Sequence, residues 1–157
     1  SRSALMVASM KGNFETVMKL LECGANPNLV DMHGSTALYE AARQGHSDTM
    51  KILLERGASL CLTDSHAASL LDQAVFDGNI VLLRRLLEAK IQVNASDDDK
   101  RAPVHIAAAE GNIAALKTLL EFGADIAVRD RWGNSVKDEA ERSGSRQLLA
   151  FLSELGL

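Results

Sequence analysis

Positive charge is not in excess in this sequence. Seventeen Lys and Arg stand against 21 Asp and Glu, for a formal charge of −4. A nucleic-acid-binding domain ordinarily carries a basic face, so nucleic acid is not the expected partner. Cysteine is scarce as well: Cys23 and Cys61 are too few for a disulfide framework and read as reduced thiols, which favours a cytoplasmic or nuclear location. No apolar run approaches the roughly 18 residues of a membrane span, so no membrane contact is expected. Aromatics make up only 4% of residues against 46% hydrophobic overall, so the core must be aliphatic, as suits closely packed helices. The opening SRSALMVASMKGNF lacks the charged-then-apolar layout of a secretory leader and is expected to start inside a longer protein. For the same reason the sequon Asn94-Ala95-Ser96 reads as coincidence.

The usual signatures of chemistry are missing too. A calcium loop opening at Asp97 would place Arg101 and Ala108 where oxygen ligands are required, so that reading fails. His33, His46, His66 and His105 have no local metal-ligand spacing. Neither phosphate-cradling glycine motif nor a G-x-S-x-G elbow occurs. No enzyme activity, cofactor or metal is expected.

What is present is self-similarity. The stretch from Asp31 to Glu55, shifted by 33 residues, returns through the chain without an insertion or deletion. Asp31 falls on Asp64, Asp97 and Asp130; Gly45 on Gly12, Gly78, Gly111 and Gly144; Leu53 on Leu20, Leu86, Leu119 and Leu152. Glu55 likewise has Glu22, Glu88, Glu121 and Glu154, where the macrodipole would favour a cation. A fixed period of this length means a stacked array of small units, none of which buries its apolar stripe alone.

The unit resembles the ankyrin repeat. Its pieces are Asp31 and Gly34, Thr36-Ala37-Leu38-Tyr39, Ala41-Ala42, Gly45-His46, Ile52-Leu53-Leu54 and Gly57-Ala58, with a closer copy in Ala102-Pro103-Val104-His105-Ile106-Ala107-Ala108. The resemblance implies an all-α solenoid of about five helix pairs with β-hairpin-like loops. The pairs are expected near 3–23, 36–56, 69–89, 102–122 and 135–155, in one domain spanning 1–157. Asp130 to Asn134 and Asp138 to Ala140 are also similar to the closing repeat of ankyrin tails on glutaminases and plant potassium channels.

Local signals agree with that grammar. Gly12 and Gly24 end helices, Asn13 caps the next one, and Pro27 marks a boundary. The third unit departs most: Ala67 and, one unit later, Lys100 replace the glycine of Gly34 and Gly133, and Lys90 replaces that of Gly24, Gly57 and Gly123. A lysine held at positive φ costs on the order of 1 kcal/mol. The fifth unit reads as an end cap, with Lys137 where Leu38, Leu71 and Val104 supply buried aliphatics.

The resemblance implies a protein-interaction module that grips a peptide or a folded domain with its hairpin tips and the exposed sides of its first helices. By register the contact residues are Met32, His33 and Arg43; Ser65, His66, Ala68 and Phe76; Asp98, Asp99, Arg101 and Glu110; and Arg131, Trp132 and Arg142. These positions vary between units while the skeleton holds. Trp132, the one tryptophan, stands at a tip with no core to enter. His105 is expected to hydrogen-bond within its own repeat. The alternative is an accessory, self-assembling domain of a larger enzyme or channel; a homo-oligomer is not favoured.

Overall fold

A computed structural model describes residues 2–157. Those residues form ten α-helices in five pairs: α1 (Ala4–Met10) with α2 (Phe14–Glu22), α3 (Ala37–Gln44) with α4 (Ser47–Glu55), α5 (Asp64–Phe76) with α6 (Ile80–Glu88), α7 (Pro103–Ala109) with α8 (Ile113–Glu121), and α9 (Val136–Ser143) with α10 (Arg146–Glu154). Among them the only β pairing is an isolated bridge between Arg129 and Ser135, so the links are turns more than hairpins.

Capping chemistry sets most helix starts. Ser3, Asn13, Thr36, Asn112 and Ser135 each accept the backbone N–H three residues on, satisfying a donor that the helix leaves orphaned. Ala102 has no hydroxyl to offer at the same place. There the buried His105 imidazole reaches back and accepts the Ala102 N–H through Nδ1 at 3.1 Å, the within-repeat role expected of it.

The chain divides into two compact units. The first comprises Ser1–Leu62 and Glu88–Ile91, the second Thr63–Leu87 and Gln92–Leu157. In the first, α1 packs on α2 and α3, and α4 on α2 and α3. The alanines Ala37, Ala41 and Ala42 are buried and let helices approach, while Met6, Leu38, Met50 and Leu53 fill the space behind them. In the second, α7 lies against α5, α8 and α9, and α10 against α9. Its core alternates the same way: Ala74, Ala107, Ala108 and Ala140 at the close approaches, Leu71, Leu83, Leu116, Leu119, Leu148 and Leu152 as bulk. Each fully buried leucine contributes roughly 1.5–3 kcal/mol from the water it leaves.

Three glycine positions of the repeat are filled by other residues, Ala67, Lys90 and Lys100. In the repeats opening at Asp31 and Asp130, the aspartate Oδ1 accepts the N–H groups two and four residues on, and a glycine at positive φ closes the turn. Asp97 makes the same pair of bonds, and Lys100 takes φ 58° where glycine would stand. At Asp64 the chain does otherwise. With Ala67 in the glycine position the turn does not form; the segment becomes helix, capped by Thr63, and α5 begins at Asp64 rather than near residue 69. Ser65 and His66 therefore lie in the first turn of a helix and not at a hairpin tip, and Ala68 is fully buried. Lys90 holds φ 60° at its glycine-like position.

Candidate partner-binding surface

Most of the side chains singled out by register stand exposed. In the first unit Met32 is 81% exposed in the turn ahead of α3, with His33 exposed beside it. Arg43, on the last turn of α3, bonds Glu40 at 3.0 Å. Glu40 is itself buried and also faces Arg2 at 3.6 Å. The second unit repeats that triad at a distance of three periods. Buried Glu139 lies 3.0 Å from Arg142 and 3.8 Å from Arg101. Arg43, Arg101 and Arg142 are thus tied to carboxylates of the scaffold rather than standing free. Glu110 is exposed at the end of α7.

The turn tips of the second unit are linked by charge. Arg131 donates from its backbone N–H to the Asp99 carbonyl at 2.8 Å and from its guanidinium to the Asp99 carboxylate at 2.7 Å. The Asp99 bond raises the already high pKa of Arg131. The same guanidinium sits 5.5 Å from the centroid of the Trp132 ring, which is 64% exposed. A cation over an indole face holds the ring in place without burying it. Asp98 receives a longer bond, 3.4 Å, from the Ser65 hydroxyl.

Carboxylates in the turns are tuned by the backbone. The Ser35 N–H holds Asp31 below the usual carboxylate range, with help from His33 and Arg2 and against the pull of burial. At Asp130 burial pushes the pKa up, but bonds from Asn134 and Trp132 win and hold it down. The Ser135 N–H and hydroxyl do the same for Asp138.

Phe76, 67% exposed at the end of α5, borders a cleft of about 430 Å³. Ser65, Ser69, Asp72, Asp97 and Ile106 also line it. Of these, register reasoning found only Phe76 and Ser65. Asp72 was missed, although it is the most perturbed group in the cleft: burial, then the neighbouring Asp97, pushes its carboxyl to about 7 against the opposing pull of Arg101. A signal was there, because Ser69-x-x-Asp72 repeats Ser135-x-x-Asp138 two periods earlier.

Other features are bland. Cys23 and Cys61 are exposed free thiols. The glutamate ending each second helix is exposed, and Glu121 pairs with Arg84 at 2.7 Å. Among the described residues no helix is long and apolar enough to cross a membrane, and no group of three or more His, Cys, Asp or Glu is placed to hold a metal ion.

Capped helix pairs recurring every 33 residues, with variable side chains at the turns, define a helical-repeat protein. The family is specific. Sequence models of ankyrin repeats match residues 1–64 (three copies) and residues 71–120 and 104–152 (many copies), so the chain belongs to the ankyrin-repeat family. Members of that family are in general protein–protein interaction modules and typically not catalytic. No curated protein matches the chain.

Proposed function

We propose that the chain binds a protein partner, a peptide segment or a folded domain, through the exposed turn tips and first-helix sides of its units. The observation that carries this reading is Trp132, a large ring left 64% exposed at a turn tip with Arg131 stacked against it. Tryptophan and arginine dominate interface hot spots, and a side chain already held in place loses little entropy on docking. Phe76 and Met32 are further large apolar groups left in solvent, one in each unit. A net charge of −4 favours a protein over a nucleic acid as the partner.

The test is capture of partners from a native extract by the wild-type chain and by Trp132→Ala and Phe76→Ala. Loss of at least one shared partner in either variant, with melting temperature unchanged, is the expected result. Retention of every partner by both variants rejects this surface. A dimer in light scattering would instead favour self-assembly.

A further inference from the structure

In α5 the capping grammar breaks in a way that leaves a carboxylate without a donor. At the start of α9 the Asp138 carboxylate accepts the Ser135 N–H at 2.6 Å and the Ser135 hydroxyl at 2.7 Å. Ser69 and Asp72 stand in the same register, but α5 already begins at Asp64. Ser69 lies inside the helix, its N–H committed to the ladder, so Asp72 has no helix end to cap. Its Oδ1 is shielded from solvent and accepts no hydrogen bond.

The wall around that oxygen has changed as well. Where the Arg–Glu–Arg triads place Glu40 with Arg43 and Glu139 with Arg142, the intervening repeats carry Gln73 with Phe76 and Ile106 with Ala109. The triads give way to Gln73, Phe76 and Ile106, which put apolar groups beside the carboxylates, and the cleft of about 430 Å³ opens there. Its rim bears Asp72 and Asp97, with Asp98 next in the chain. The nearby cation, Arg101, is directed to Glu139. An occupant must therefore offer apolar surface to Phe76 and Ile106 and positive charge to the carboxylates. A long cationic side chain does both, because its alkyl stem packs while its head remains charged. An anionic group would meet two carboxylates.

We propose that this cleft receives a lysine or arginine side chain of the protein partner, its stem on Phe76 and Ile106 and its charged head against Asp72 and Asp97. The assignment rests on the partner-binding reading above and names the chemistry recognised at one point of that surface. The raised pKa of Asp72 fits an acid without a counter-charge: near neutral pH it is only partly ionised, and an arriving cation favours its charged form.

The probe is a short fluorescein-labelled peptide alternating leucine and arginine, with a counterpart carrying neutral citrulline in place of arginine, followed by anisotropy. At about pH 8, where Asp72 is ionised, the arginine peptide is expected to bind about tenfold more tightly than the citrulline peptide. Asp72→Asn should remove most of that gap, and Asp125→Asn, a remote exposed carboxylate, should leave it intact. At about pH 5.5 wild type and Asp72→Asn should converge, because the Asp72 carboxyl is then mostly protonated. A second readout needs no substitution: in NMR of the wild-type protein, the arginine peptide should shift the Ser69, Gln73 and Phe76 amides and lower the titration midpoint of the Asp72 carboxyl. Equal affinity for the two peptides, no measurable binding, or an Asp72→Asn variant indistinguishable from wild type at about pH 8 would each overturn the assignment. If Trp132→Ala loses partners while the peptides are not discriminated, the cleft assignment fails and the wider reading survives. If no variant loses a partner but the peptides are discriminated, the reverse holds.

Discussion

A shielded carboxylate oxygen that accepts no hydrogen bond favours the protonated form, and Asp72 is in that state, with its pKa pushed to about 7. The consequence for stability has a definite sign. The unfolded carboxyl titrates near 3.8, so between there and about 7 the native state holds the proton more tightly and stability falls as pH rises. Asp72→Asn, which removes the ionisation, is expected to stabilise the protein at pH 8 by about 1 kcal/mol, the small figure reflecting a cleft open to water, and to do almost nothing at pH 4. Urea denaturation at the two pH values measures the difference; equal effects at both would refute it. Little of this was legible from composition or spacing. Asp72 and Asp138 look alike in sequence, and what separates them is whether a helix starts three residues earlier.

Helices in this protein end and meet through glycines, but the glycines are not equivalent. Gly12 and Gly24 both adopt positive φ, at 66° and 82°. A Cβ at Gly24 would meet nothing within 4 Å, whereas one at Gly12 would lie 2.5 Å from Nδ1 of the His46 ring. That ring cannot simply swing aside, because its Nε2–H donates to the Met10 carbonyl at 3.0 Å and binds the end of α1 to the start of α4. Gly24→Ala should therefore cost only the backbone strain of about 1 kcal/mol, and Gly12→Ala should cost that plus about 1 kcal/mol more for the displaced bond. Thermal unfolding of the two variants side by side checks the ordering, and equal losses would show that the ring yields freely. The positive φ of Gly12 was readable from its place after an apolar-periodic helix. The His46 contact was not, since His46 is 34 residues away and identified only as part of a Gly-His motif. The element that departed from expectation, α5, does so where Ala67 takes the place of Gly34 and Gly133: there the segment goes helical, whereas Lys100 at the same register position still closes the turn.

At the scale of the whole molecule, the acid side of the stability profile belongs to the turns and caps. Asp31, Asp130 and Asp138 have lowered pKa values because backbone and side-chain donors favour their charged forms. Each contributes stability that is fully present above the ordinary carboxyl value of 3.8 and is lost as pH falls through the lowered one. Asp72 acts oppositely at higher pH. The profile is expected to fall steeply below about pH 4 and to decline gently from there to about pH 7, where a chain lacking Asp72 would stay level. Denaturation midpoints across that range, with Asp72→Asn as reference, test the shape; a midpoint that rises from pH 4 to 7 in both proteins would contradict it.

Period, family and helix pairing were determined by the sequence alone, because each depends on residues within a few turns of one another and is repeated five times over. Trp132's place at a turn tip was also written there, since a period of 33 assigns every position a role once one copy is understood. Tertiary structure alone decided which arginines are free and which are held by a buried glutamate, and where a carboxylate loses its donor. Those outcomes depend on atoms brought together from different repeats and on one helix starting five residues early. No local pattern records either, because hydrogen-bond satisfaction is a property of the neighbourhood and not of the residue.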